Sequence, residues 1–151
     1  MLSAELMDIL REVTDPEIPR VSIVDLGMVE GASVKGEHIT VSLIPTFVGC
    51  PAQMLIQEKV QEHLLAAFPT HAISVRLSLE VPWSTDRITD TGRQALKQSG
   101  IAPPGADLND VACPFCNRHD TLLQNLFAST SCRSLYYCRA CQNPFEAFKP
   151  L

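Results

Sequence analysis

The sequence has no apolar run able to cross a bilayer. Its longest, Leu64–Phe68, is five residues, against the roughly 18–20 that a spanning helix needs. It also lacks a basic excess: 12 Lys+Arg stand against 17 Asp+Glu, a formal net charge of −5. That balance argues against the phosphate-neutralising surface of a nucleic-acid binder. The first residues interleave Glu5, Asp8 and Glu12 with leucines, with no basic start and no small-residue cleavage site. No signal peptide is visible, and a cytoplasmic location is expected. Internal repeats are missing too. The Gly31–Gly36 spacing suggests a phosphate loop, but Glu37-His38 replaces the required Lys-Ser/Thr, so that reading is discarded.

What is present is a globular composition, 46% hydrophobic and 19% charged over 151 residues, enough for one domain plus a small module. The cysteines show where the chain divides. Of six, five fall in the last 39 residues, and in a cytosolic chain such clustering points to metal or chemistry before disulfides. The acidic excess lies elsewhere. Residues 1–105 hold 8 Lys+Arg against 13 Asp+Glu, and residues 106–151 balance at four each. Four thiolates on a divalent ion would take that second part to about −2.

Residues 1–99 mix two periodicities. Leu2, Leu6, Ile9, Leu10 and Val13 share one side of a helix, which Asp15-Pro16 ends, because proline disfavours helical geometry before it. An extended stretch over 21–34 follows. After the turn Lys35-Gly36-Glu37 comes a strand in which Ile39, Val41 and Leu43 alternate with polar residues. Gly49-Cys50-Pro51 opens a second helix with apolar residues at 56, 60, 64 and 68. Ile73, Val75, Leu77 and Leu79 mark a second alternating strand, and 86–99 a last short helix ending at Gly100. The pattern predicts an α+β fold, a small mixed sheet packed with helices on one face. The expected domains are residues 1–105, including a stiff Pro-rich linker at 101–105, and residues 106–151.

The second domain carries Cys113-Pro-Phe-Cys116 and, 21 residues later, Cys138-Arg-Ala-Cys141. Each Cys-x-x-Cys turn aims two sulfurs at one point, and two turns complete a tetrahedron. The gap leaves room for two strands, 122–127 and 135–137, with a third at 144–148, so the segment reads as a zinc ribbon. Four protein ligands leave no open position, which makes the zinc structural; iron would accept the same sulfur geometry. His119 could substitute as a ligand or be an ordinary solvated histidine. Cys132 is either a small buried residue or a metal-delivery or redox thiol. Phe145 and Phe148 are either exposed docking anchors or packed into the ribbon.

Cys50 sits alone where a helix is expected to begin, and such a position favours the thiolate. It could attack an electrophile, hold a soft metal, or merely cap the helix. A cysteine nucleophile needs a histidine base, and no motif places His38, His63 or His71. Acidic neighbours in loop-like positions, Asp15, Glu17 and Asp25, suit metal; equally, Asp15 could cap a turn and Asp25 fix the turn into Gly27.

Asp15-Pro-Glu-Ile-Pro-Arg-Val-Ser-Ile-Val-Asp-Leu-Gly-Met-Val29 and Pro45-Thr-Phe-Val-Gly-Cys-Pro-Ala52 resemble the SufT-type family of iron–sulfur assembly proteins. Val81-Pro-Trp-Ser-Thr-Asp86, Gly100-Ile-Ala-Pro-Pro-Gly105 and the four-cysteine tail narrow the resemblance to its PaaD (PaaJ) branch, carried with phenylacetyl-CoA epoxidase in phenylacetate degradation. The resemblance implies a metal-centre assembly domain, with Cys50 as the functional cysteine, Asp25 as the motif aspartate and Thr46 before the Gly-Cys-Pro. It implies an epoxidase oxygenase or reductase subunit as client, structural zinc on Cys113, Cys116, Cys138 and Cys141, and transient iron or an iron–sulfur cluster at Cys50. Two departures stand out: Phe47 replaces a common tyrosine, and the end Phe148-Lys-Pro-Leu151 lacks a cysteine that some relatives place there. The expectation is a maturation factor that is not itself a turnover enzyme, with a homodimer as one way to complete a cluster's ligands. A structural adaptor subunit and a cysteine-dependent enzyme are the alternatives.

Overall fold

The computed structural model describes residues 2–46, 52–105, 107–130 and 132–150. Packing divides the chain into two units, Met1–Trp83 and Ser84–Leu151.

In the first unit, α1 (Leu2–Arg11) leads through the two-residue strand β1 (Thr14–Asp15) to β2 (Ile18–Ser22), which pairs with it antiparallel. Then come β3 (Val29–Lys35), β4 (His38–Leu43), α2 (Ala52–Ala67) and β5 (Ala72–Leu77). β3 and β4 form an antiparallel hairpin whose turn holds Gly36 at φ +60°, a conformation glycine adopts at no steric cost. β5 returns parallel to β4, and a parallel neighbour requires a crossover, here supplied by α2. Both expected periodicities are realised. Ile39, Val41 and Leu43 are buried on one face of the β3-β4-β5 sheet, and Ile56, Val60 and Leu64 of α2 are buried with Leu6 and Leu10 of α1. Full burial of each such side chain stabilises by about 1.5–3 kcal/mol. The opposite sheet face, with Thr40 and Ser42 only half-buried, is polar. The extended stretch expected over 21–34 is broken: residues 23–27 form a turn that accommodates Gly27 at φ +72°.

In the second unit, a 3-10 turn (Thr85–Arg87) precedes α3 (Asp90–Gln98), where one helix over 86–99 was expected. Thr89 divides them, because its hydroxyl accepts the Gly92 amide at 3.0 Å and so starts a new helix. β6 (Ile101–Ala102), β7 (Thr121–Asn125), β8 (Arg133–Cys138) and β9 (Pro144–Phe148) form one sheet in the order β6-β9-β8-β7. The expected linker at 101–105 is therefore not where the packing divides. Ile101 and Ala102 are buried and pair with Glu146 and Ala147 of β9, and Arg93 donates to the Pro104 carbonyl at 3.1 Å. Two apolar residues with an open strand edge available outweigh the local stiffness of the prolines. The core gathers Val111, Tyr136, Phe145 and Ala147 around Cys113 and Cys138. Tyr136 and Phe145 stack 5.6 Å apart, and the Tyr136 hydroxyl donates to the Leu108 carbonyl at 2.6 Å. Burial, with Asp107 nearby, holds that hydroxyl's pKa above its usual value. Phe145 and Phe148 are 4% and 1% exposed: they pack into the ribbon and are not docking anchors.

Candidate metal centre and candidate cysteine site

The two Cys-x-x-Cys segments fold into matching knuckles. The Cys113 amide donates to the Arg118 carbonyl at 2.8 Å and the Asn117 amide to the Cys113 carbonyl at 2.9 Å. In the second knuckle, Cys138 donates to Asn143 at 3.0 Å and Gln142 to Cys138 at 2.8 Å. The residue after each second cysteine, Asn117 or Gln142, is left-handed at φ 65° or 62°, which reverses the chain so that both sulfurs face inward. The knuckles interleave: Cys113 Sγ lies 3.6 Å from Cys141 Sγ, and Cys116 Sγ 3.6 Å from Cys138 Sγ. All four sulfurs lie within 4.8 Å of one another. A tetrahedral ion with bonds of about 2.3 Å sets sulfurs about 3.8 Å apart, so the quartet is gathered at the spacing of such an ion's ligands, two pairs close to the ideal and the rest within about 1 Å of it.

Burial pushes the Cys113 thiol up to about 12, against partial relief from the backbone amides of Cys116 and Phe115. At Cys141 burial also acts upward, but the side chain and backbone of Asn143 hydrogen-bond the sulfur and bring it down to about 7. Without an ion the quartet is thus partly protonated at neutral pH, and a bound divalent ion replaces those protons. Zinc held this way supplies a cross-link between the two knuckles and, having no open position, no reaction site. His119 lies outside the quartet, its Nδ1 3.1 Å from the Asp110 carboxylate. Cys132 is also outside it, buried with its Sγ 3.1 Å from Thr130 Oγ1.

In the first unit, Asp25 is half-buried in the turn after β2. That turn is closed by backbone bonds from Leu26 to Ser22 and from Met28 to Ile23, each 3.0 Å. Trp83 pins it from 57 residues away, its indole N–H donating to the Leu26 carbonyl at 2.7 Å. The Ile44 amide donates to Met28 at 2.7 Å, which brings the segment ending at Thr46 to the same end of the unit. Thr46 lines a pocket of about 220 Å³ with Pro45, Ser78, Leu79 and Trp83. Sequence reasoning had no role for Trp83; its only signal was its place in the Val81–Asp86 stretch. Asp15 does cap a turn, accepting the Glu17 amide at 2.8 Å. His63 Nδ1 lies 2.8 Å from the Lys59 carbonyl, and His71 packs edge-on against Phe68. Cys50 and Phe47 lie outside the described residues.

The model described as iron–sulfur cluster assembly protein matches residues 3–81, and that of the PaaD zinc beta ribbon domain residues 102–149. The chain is 36% identical to a protein of Escherichia coli (strain K12) named as one subunit of a "Putative 1,2-phenylacetyl-CoA epoxidase", over 96% of this chain and 91% of that one. This chain belongs to the PaaD branch of the iron–sulfur cluster assembly protein family. Among solved structures, this PaaD-family chain is similar to a domain of unknown function, DUF59, from Bacillus anthracis. The identity is 29% and the TM-score 0.58, with 62% of this chain and 89% of that one covered. It also shares the fold of a conserved hypothetical protein from Thermotoga maritima, at 22% identity and TM-score 0.52, covering 60% and 89%. The PaaD ribbon match includes all four cysteines of the quartet. No helix among the described residues is long and apolar enough to cross a membrane.

Proposed function

We propose that this chain is a maturation factor for the iron or iron–sulfur centres of a phenylacetyl-CoA epoxidase-type multicomponent oxygenase, and not a turnover enzyme. One observation carries the reading: the iron–sulfur assembly match and the closed four-sulfur quartet fall on different units. The assembly match spans residues 3–81, the stretch that contains Cys50 and none of the quartet. The similarity to an epoxidase subunit over nearly the whole chain supports the choice of client system. In this reading Cys113, Cys116, Cys138 and Cys141 hold zinc permanently, and Cys50 as a thiolate holds iron or a cluster in transit, with Asp25 and Thr46 shaping its surroundings. A cluster takes four ligands, normally protein thiolates, so a second chain in a homodimer, a small thiol or the client must supply the rest.

Anaerobic purification with zinc, iron and sulfide measured per chain, wild type beside Cys50→Ala, tests this. One zinc in both and iron only in the wild type is the expected result, together with lower iron and activity in a client co-expressed with the variant. Normal client iron with Cys50→Ala would end the delivery reading. The relative's description as a subunit favours a second reading, an adaptor retained in the assembled enzyme; stoichiometric co-purification with active epoxidase would select it.

A further inference from the structure

The polar face of the β3-β4-β5 sheet holds a cleft of about 260 Å³ that the assembly role leaves unassigned, lined by Glu30, Ser42, Arg76, Ser78, Leu79 and Glu80. Its construction follows from the strand register. Gly31 pairs with Ser42 and Ser42 with Arg76, and directly paired residues point to the same side of a sheet. Gly31 therefore leaves that row bare at one end, where a Cβ would meet nothing within 4 Å. The β3 register shifts between Val29 and Gly31, and such an irregularity re-aims a side chain; Glu30, the residue inserted there, lines the cleft. Among the described residues, no ion pair or hydrogen bond joins the Arg76 side chain to Glu30 or Glu80. A cation and two carboxylates thus share one concavity without pairing with each other, and two serines belong to the same lining. Such a lining complements a ligand carrying both charges.

The volume lies below the range for drug-sized ligands and suits an amino acid or a very short peptide. Ser78 and Leu79 also line the Thr46 pocket, so the two hollows adjoin along that segment. We propose that it binds the zwitterionic head of cysteine or a short cysteine-containing peptide. Arg76 and the serines take the carboxylate, Glu30 and Glu80 the ammonium, and the thiol extends toward Thr46. Recognition of the head group stands on this geometry. The choice of a thiol side chain rests on the proposed function, in which a single Cys50 leaves ligands to be supplied.

Titration calorimetry on the full zinc-loaded chain tests it with three probes: L-cysteine, S-methyl-L-cysteine and 2-mercaptoethanol. The methylated probe keeps the head group while its blocked sulfur cannot form a thiolate for zinc or iron. Saturable binding of both amino acids is expected, weakened by about tenfold or more in Arg76→Gln, the loss of a charge-assisted hydrogen bond, with none for 2-mercaptoethanol. Arg76 is exposed, so circular dichroism should show an unchanged fold. Binding of L-cysteine alone, no saturable binding, or binding indifferent to Arg76→Gln would each overturn the assignment. Cys50→Ala separates this site from the assembly reading: S-methylcysteine should still bind it, whether or not iron binding is lost.

Discussion

Replacing Cys113 by serine removes one sulfur of the quartet while keeping nearly the same volume, so its effect reports on the ion and not on a cavity. Cys113 is fully buried, its neighbours Val111, Tyr136 and Cys138 form the core of the second unit, and its backbone closes the first knuckle. Structural zinc contributes an apparent ~10–16 kcal/mol in small modules at pH 7, whereas a whole domain is usually stable by only about 5–15 kcal/mol. Losing even half of the ion's contribution therefore leaves the β7-β8-β9 ribbon unable to hold its fold alone. The expected outcome is less than one zinc per chain, with rapid proteolysis confined to residues 113–150. The first unit should keep its own core, built on Leu6, Leu10, Ile39, Val41 and Leu64. Limited proteolysis with mass mapping, beside zinc determination, reads both. A ribbon that resisted protease with no bound metal would refute the structural-zinc reasoning.

Four further outcomes are expected. With Cys113 raised to about 12 and Cys141 at about 7, zinc must displace protons, so apparent affinity falls on acidification and more steeply below about pH 7; chelator competition at pH 6, 7 and 8 measures this. In the ion-free unit the sign reverses for Cys113. Its folded value lies above the ordinary 9.0, so its contribution to stability is present below pH 9 and lost as pH rises toward about 12. Gln142→Gly relieves a left-handed side-chain residue at φ 62° and should stabilise the ribbon by about 0.5–1 kcal/mol, seen as a higher melting temperature; no gain would mean that Gln142 makes compensating contacts. Trp83→Phe leaves the Leu26 carbonyl without its 2.7 Å donor and should cost about 1–3 kcal/mol, with faster amide exchange over residues 22–28; unchanged exchange there would mean that Trp83 does not hold the Asp25 turn.

Some of this was open to reading from the chain alone, because its causes are local. A Cys-x-x-Cys turn fixes its own two sulfurs, so four cysteines in two such turns specify the tetrahedron whatever surrounds them. Apolar residues every four positions along α2, and every two along β4 and β5, reveal helix and strand because those periods belong to the backbone itself. Three decisions were tertiary. Ile101-Ala102 reads as linker by composition and becomes strand only because β9 offers an open edge. Phe145 and Phe148 look alike as anchors or as core until β8 and β9 pair and turn them inward. The Asp25 turn and Thr46 meet at one end of the first unit because Ile44 bonds to Met28 and Trp83, which lines the Thr46 pocket, bonds to Leu26 across 57 residues. A contact of that range depends on where two distant segments are carried by the fold, and no local periodicity encodes it.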